Sequence, residues 1–259
     1  MPEPFYLPRG DGRFHATHST TGPWSADSQH VGPPSALLVR ALERCSPEPE
    51  PQFSRLTFEV LGPVPAGDVE VRAQVDRPGR GVELSSAVLS AGGRPVMRAS
   101  AWRVAVGDTV AAAVGESPAL APPSSVPPRS ERPDGWLPGY LDALEWRWVH
   151  GWLAEPGPGA VWGRLRVPVV QGEEPTPLQR LAALADSANG AGAPLDLREW
   201  LFVNTDLTLH LHRKPAGEWM AIDAVTVVGP TGMGTVTAAL HDERGHTGRC
   251  AQALIVRPR

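Results

Sequence analysis

The chain has 259 residues, 41% of them hydrophobic and 20% charged, a balance that fits a folded globular protein and excludes wholesale disorder. Its 24 basic and 28 acidic side chains leave a net charge of −4, so no broad cationic field exists to hold a nucleic-acid backbone or an anionic membrane. Two cysteines, Cys45 and Cys250, lie far apart and without a second ligand at zinc spacing, which fits a reducing cytoplasm and excludes a disulfide framework. No apolar run reaches the roughly 20 residues that span a bilayer. The acidic, proline-rich start, Met1 to Pro4, does not read as a signal peptide. Proline is in excess, 29 of 259 residues, about twice the usual ~5%.

In chain order, residues 12–20, and with them 4–7, read as opening strands. A helix follows, entered through Pro33 and Pro34, with an apolar stripe of Leu38, Ala41, Leu42 and Cys45. From Leu56 the chain alternates apolar and polar residues (Leu56, Phe58, Val60), and turn signals at Pro78-Gly79 and Gly92-Gly93 divide it into antiparallel strands. Residues 107–143, with the run APPSSVPPRSERPDG, read as a linker that builds no core. Strands are expected again at 144–153 and 160–170. The next helix has Thr176 as N-cap, Pro177 at its first position and Gln179 to complete a capping box; its stripe is Leu178, Leu181, Ala182 and Ala185. The block from Leu207 then repeats the one from Leu56. Both open Leu-Thr, reach Pro-Ala-Gly (65–67 and 215–217), run three strands between glycine turns, and carry Arg98 and Arg249 at corresponding places.

A helix against a long antiparallel sheet, twice in tandem, is the plan of a double hot-dog protein. The chain resembles the TesB-like acyl-CoA thioesterases, in an actinobacterial-looking branch, most specifically in ALADSANG (183–190), FVNTDLTLHLHRKPAGEW (202–219) and GRCAQALIVR (248–257). The resemblance implies an α+β fold with hot-dog units at 1–106 and 144–259 joined by the linker 107–143, their sheets meeting edge to edge.

Asp186 continues the stripe of the second helix at i+8, so it is either a carboxylate on a buried face, costly to desolvate without partners, or a last-turn residue already in solvent. Gln252, in the final strand, reads either as a neutral amide able to orient water or as a solvent-face glutamine. Family resemblance implies that both are catalytic. It also implies a hydroxyl on the strand ending in His212-Arg213, where alignment puts Asn204, with Thr205 adjacent. In the first copy Ala101 stands opposite Gln252 and Glu43 lies off the helix stripe, so one site per chain is expected.

The pairs His15/His18 and His210/His212 lack a third ligand in sight and read as surface or packing residues; His30 is a weaker candidate for a cleft wall. Trp146, Trp148 and Trp152 read as one strand face, core or an oligomer contact. No nucleophile elbow, phosphate loop or dinucleotide fingerprint occurs. The expected function is hydrolysis of acyl-CoA by a positioned water, without metal or other cofactor, in a cytoplasmic homo-oligomer. Two rivals stand beside it. One is a silent acyl-CoA-binding protein, kept open by Asn204 at the hydroxyl position. The other is an enoyl-CoA hydratase, disfavoured because no histidine follows Asp186 in Ser187 to Gly192.

Overall fold

The computed structural model describes residues 3–45, 52–153 and 155–259. Among them, thirteen strands form one sheet. The first half contributes β1 (Tyr6–Gly10), β2 (Arg13–Ala16), β3 (Phe53–Val60), β4 (Gly67–Arg77), β5 (Val82–Ala91) and β6 (Arg94–Val104). The second contributes β7 (Leu144–Trp152), β8 (Glu155–Leu165), β9 (Trp200–Asn204), β10 (Asp206–Leu211), β11 (Trp219–Val228), β12 (Met233–Asp242) and β13 (Gly245–Pro258). The order across the sheet is β1-β2-β4-β5-β6-β3, then β10-β13-β12-β11-β8-β7, with β9 also on β13. Helix α1 (Gly32–Cys45) packs on β4 and β5, α2 (Pro177–Ala185) on β11 and β8, and the two helices pack on each other.

The repeat is exact in register. Thr57↔Ser100, Ser85↔Ala101 and Ala73↔Ala87 in the first half recur as Thr208↔Ala251, Val236↔Gln252 and Ala224↔Ala238, an offset of 151 (208 − 57). At the seam the equivalent residues Thr57 and Thr208 face each other, so a local two-fold axis passes between β3 and β10. Leu56, Phe58, Leu207 and Leu209 beside them are fully buried. Joining the halves this way gives both inner strands a hydrogen-bonded neighbour, as expected of edges that would otherwise stay open. Gly92 and Gly93, both at positive φ, close the β5–β6 hairpin in the turn that matches strand twist.

Two expectations need correction. The row Trp146-Trp148-Trp152 is not an open face. Strand β7 bulges between Trp148 and His150 and again before Trp152, so the alternation breaks. Trp146 is buried, Trp148 half-buried, and the Arg129 guanidinium lies 3.7 Å over the ring of Trp152. Nor does the Pro-rich segment hang free. It crosses the second half, where Ala121 O accepts from Trp162 Nε1 (2.9 Å) and Pro123 O from Arg147 Nη1 (2.8 Å), and Leu120 packs against Trp162 and Trp219. Prolines withhold N–H groups, but their carbonyls still accept, and the buried donors of the second half use them.

The β12–β13 hairpin is held by the His212-Arg213 dipeptide. Arg213 forks onto the fully buried Asp242 carboxylate (2.6 and 2.7 Å), which also accepts from the backbone N–H of Ala216 and Arg244. Desolvation acts to raise the Asp242 pKa, but these donors outweigh it and hold it below the usual value. Beside it, burial and the neighbouring His246 push His241 down to about 4. Both shifts have one sign: the folded state binds protons less readily than the unfolded chain. Stability should therefore fall as pH drops from the ordinary imidazole value of ~6.5 toward 4, and further as Asp242 protonates. Calorimetry across this range should show the slope, and His241→Gln should flatten its upper part.

Candidate active site

The second helix carries the site because its ends are set by its sequence. Thr176 caps it, its hydroxyl accepting from Gln179 N (3.2 Å), and Pro177 occupies the first position. The expected box is only half made: Gln179 Nε2 reaches instead to Glu43 on α1 (2.6 Å). At the other end Asp186 is the C-cap in helical conformation, followed by a short α3 (Ala188–Ala191). Leu181, Ala182 and Ala185 are fully buried, and Asp186, on the same stripe, is only 3% exposed. It is thus a buried carboxylate, not a solvated last turn.

Four donors converge on it, with an imidazole beside them. Asn204 Nδ2 donates to Oδ1 (2.8 Å), and Gln252 Nε2 lies 3.2 Å from its backbone O and 3.4 Å from Oδ1. The backbone N–H groups of Val31 and Gly32 complete the set, and His30 Nδ1, which accepts from Gly32 N (3.1 Å), lies 3.0 Å from Oδ2. Pro33 and Pro34 have no N–H, so the first-turn donors of α1 reduce to those that face Asp186. The approach is close: a Cβ on Gly32 would sit 2.2 Å from Ala183 O, so only glycine lets the start of α1 meet the end of α2. Burial pushes the Asp186 pKa up, opposed by His30, Asn204 and the two N–H groups; burial pulls His30 down, opposed by Asp186.

Asn204 reaches this point through a bulge. Leu254 pairs with Asn204 and Ala251 with Thr208, so three steps on β13 match four on the other side. Plain alternation from Leu207 and Leu209 would have turned Thr205 inward; the extra residue turns Asn204 in. Thr205 is exposed, its hydroxyl 3.4 Å from Ala253 O. Gln252 is 1% exposed and sits behind the carboxylate, its Oε1 buried without a partner among the described residues.

Two residues carry more here than their sequence positions suggest. His30 lines the cleft, as expected, and also meets Asp186; it comes from the first half, so no histidine follows Asp186 in the chain. Tyr140 falls inside the segment expected to be linker. It is fully buried, donates its hydroxyl to Ala183 O (2.8 Å), contacts Ser187 Oγ (2.9 Å) and stacks on His30 with ring centroids 3.8 Å apart. The place of His30 just before the helix start hinted at the first; no local signal marked the second.

Asp186, Asn204 and His30 lie on the wall of a cleft of about 450 Å³ whose remaining surface is mainly apolar, with Val60, Trp146, Trp148, Val161 and Phe202 among its residues. Such a cleft can take an apolar chain and present one polar carbon to a charged cluster. The mirror position in the first half lacks this chemistry. Phe53 stands where the offset places Asn204, Ala101 where it places Gln252, and Glu43 instead accepts from Thr176 Oγ1 (2.8 Å) and Gln179. No group of three or more His, Cys, Asp or Glu among the described residues has metal-holding geometry, and no helix there is long and apolar enough to cross a membrane.

Among solved structures the chain is similar to a hot-dog-fold protein of Alicyclobacillus acidocaldarius (16% identity, TM-score 0.75, covering 96% of this chain and 94% of that one). It is similar also to a tesB protein of Mycobacterium avium subsp. paratuberculosis (15%, 0.70, 98% and 96%) and to an acyl-CoA thioesterase II of Mycobacterium marinum (15%, 0.69, 98% and 96%). At these identities the likeness establishes the tandem hot-dog fold. No curated protein matches the chain in sequence. Models of the acyl-CoA thioesterase N-terminal and C-terminal domains match residues 20–104 and 123–256. The chain therefore belongs to the acyl-CoA thioesterase family and carries that family's two domains in tandem.

Proposed function

We propose that the protein hydrolyses an acyl-CoA thioester to the free acid and CoA in the cleft beside Asp186. The observation that carries this reading is a buried carboxylate, ringed by donors from both halves, at the polar end of an apolar cleft. The acyl chain would lie along the apolar wall, with the thioester carbon near Asp186. The charge of Asp186 drives removal of a proton from the attacking water, while Asn204 and Gln252 hold the carboxylate and keep its charge affordable in a dry site. The family membership supports the substrate class. Two unpaired cysteines, one buried and one half-buried, fit a cytoplasmic setting. The proposed mechanism uses side chains alone, with no metal or other cofactor.

A second reading has one observation behind it. The His30–Asp186 pair supplies the histidine whose absence near Asp186 argued against hydration of an enoyl-CoA. Thiol release measured over acetyl- to palmitoyl-CoA, against loss of enoyl absorbance with crotonyl-CoA, separates the two. Hydrolysis predicts turnover in the first assay and none in the second; micromolar binding with neither would leave a silent acyl-CoA-binding protein.

Self-association is proposed on an exposed stripe that borders the cleft lined by Trp146 and Trp148. Val203, Ile255 and Met233 are direct cross-strand neighbours on β9, β13 and β12, and they are 45%, 53% and 68% exposed. The proposal rests on the exposure of this apolar stripe, since such patches mark interaction surfaces or ligand grooves. Light scattering should give a mass above that of one chain, and Met233→Lys with Ile255→Lys should lower it.

Asp186→Asn should lower kcat by about 10²–10⁴, the usual worth of proton-transfer catalysis, and leave the fold intact, since it removes a buried charge without changing shape. Gln252→Ala should cost less, about 10²-fold, and the double variant far less than the product of the two, because Gln252 acts through the Asp186 carboxylate. Asn204→Asp should be more damaging near neutral pH than Asn204→Ala. It sets a second carboxylate at hydrogen-bond distance from the first, and two such groups cannot both stay ionised. Initial rates from pH 5 to 9 should show the Asp variant recovering less than the Ala variant.

A further inference from the structure

The cleft beside Asp186 has an open end and a closed end. At the open end stand the exposed apolar side chains of Trp24, Leu61, Val203 and Ile255, with the Arg259 guanidinium 5.7 Å over the Trp24 ring. At the closed end α3 and β8 touch backbone to backbone. A Cβ on Gly159 would sit 2.2 Å from Ala191 O and 3.4 Å from Trp148 Cζ3, and Gly157 N donates to Ala193 O (2.7 Å). Between the two ends Gly190, on α3, leaves a notch. Its φ is not in the left-handed region, and outside its own helix a Cβ there would meet only Leu153 Cδ2 within 4 Å, at 3.5 Å, among the described residues. Close backbone approach requires glycine at 159 and 192, but not at 190. A helical glycine that no backbone constraint demands costs helix stability. What it yields here is space in the cleft, which Gly190 and Leu153 both line.

We infer that the notch between Gly190 and Leu153 holds the outer carbons of the acyl group and selects its length, and that the group it takes is uncharged. The inference rests on the thioesterase reading and deepens it. With the thioester carbon near Asp186, the acyl chain runs toward the closed end, and CoA leaves by the open one, where a cation is at hand. Asp186 and Ser187 keep near-helical dihedrals into α3, so Gly190 lies about 6 Å further along, at ~1.5 Å per residue. An extended chain advances ~1.2 Å per bond, so about the fifth or sixth carbon draws level with Gly190. Trp148 and Val161 wall the cleft as well, and no Lys or Arg is among its described lining residues. Its titratable groups are Asp186 and His30, and burial holds the imidazole below its ordinary value. A second carboxylate on the acyl group would therefore be buried without a cation and close to Asp186, a costly arrangement for two like charges.

The test uses the full chain and reads a ratio, kcat/KM for octanoyl-CoA over kcat/KM for butyryl-CoA. Gly190→Leu should lower the ratio at least about tenfold, because the added side chain takes space from the outer carbons and not from the thioester. Gly190→Ala should lower it less, and Leu153→Ala added to Gly190→Leu should restore part of it. Gly190→Ala should also melt no lower than the wild type, since alanine is the better helix former and its Cβ makes an ordinary contact. A ratio within threefold of wild type in folded Gly190→Leu overturns the inference; where leucine prevents folding, Gly190→Val takes its place under the same criterion. A lower melting temperature of Gly190→Ala with equal losses on both substrates marks a structural glycine and overturns it too. Succinyl-CoA, the same four carbons with a second carboxylate, should react at least about 10²-fold more slowly than butyryl-CoA; equal rates overturn the uncharged pocket. A second arm titrates both thioesters onto Asp186→Asn with and without Gly190→Leu, and a selective loss of octanoyl-CoA binding supports the notch while an equal change overturns it. A wild type that releases no thiol from any acyl-CoA would instead defeat the thioesterase reading, and the binding arm would still decide the role of Gly190.

Discussion

Burying one carboxylate governs this molecule. An ionised group withdrawn from water costs several kcal/mol even after relaxation, unless donors close around it. For Asp186 the donors come from three places: the start of α1, the bulged end of β9 and the middle of β13, with the His30 ring beside them. The first belongs to one half of the chain and the last two to the other. Neither half alone could hold the charge, so the fusion of the halves is a condition of the site as well as of the sheet.

The same geometry shows why the local symmetry yields one site. Around the two-fold axis each helix end meets the start of the other helix. At one meeting Asp186 faces backbone N–H groups left by two prolines, plus a histidine. At the other, Glu43 is tied down by Thr176 and Gln179, with Phe53 and Ala101 filling the places of the polar residues. The second meeting is a joint. Its carboxylate is spent on capping α2, its strand positions are apolar, and nothing there addresses a cleft.

The Pro-rich segment is the least symmetric part and serves the polar end of the cleft. It satisfies Trp162 and Arg147 with carbonyls, then returns to place Tyr140 under His30. The tyrosine hydroxyl also occupies Ala183 O, a last-turn carbonyl of α2, because Ser187 N bonds Leu184 O instead. A flat ring packed at van der Waals distance fixes the imidazole plane, and with it the line from Asp186 to the cleft.

Much of this was written in local sequence. The alternation at Leu56 and Leu207, the glycine turns and the Thr176-Pro177 start define strands and helices by short-range rules, and the two Leu-Thr openings announce the repeat with the offset that the sheet then keeps. Asp186 and Gln252 stood out because a charge on an apolar stripe and an amide in an apolar strand each break a pattern. What the tertiary structure decided is which side chains share a point in space. The bulge that turns Asn204 inward depends on how β13 pairs with two strands at once. The meeting of His30 with Asp186 depends on two helices crossing a seam 156 residues apart in number (186 − 30). Tyr140 depends on the return of a segment whose composition promised no core. Periodicity reports which face of an element is buried; it carries no term for contacts between distant elements, and the chemistry of this site is made of such contacts.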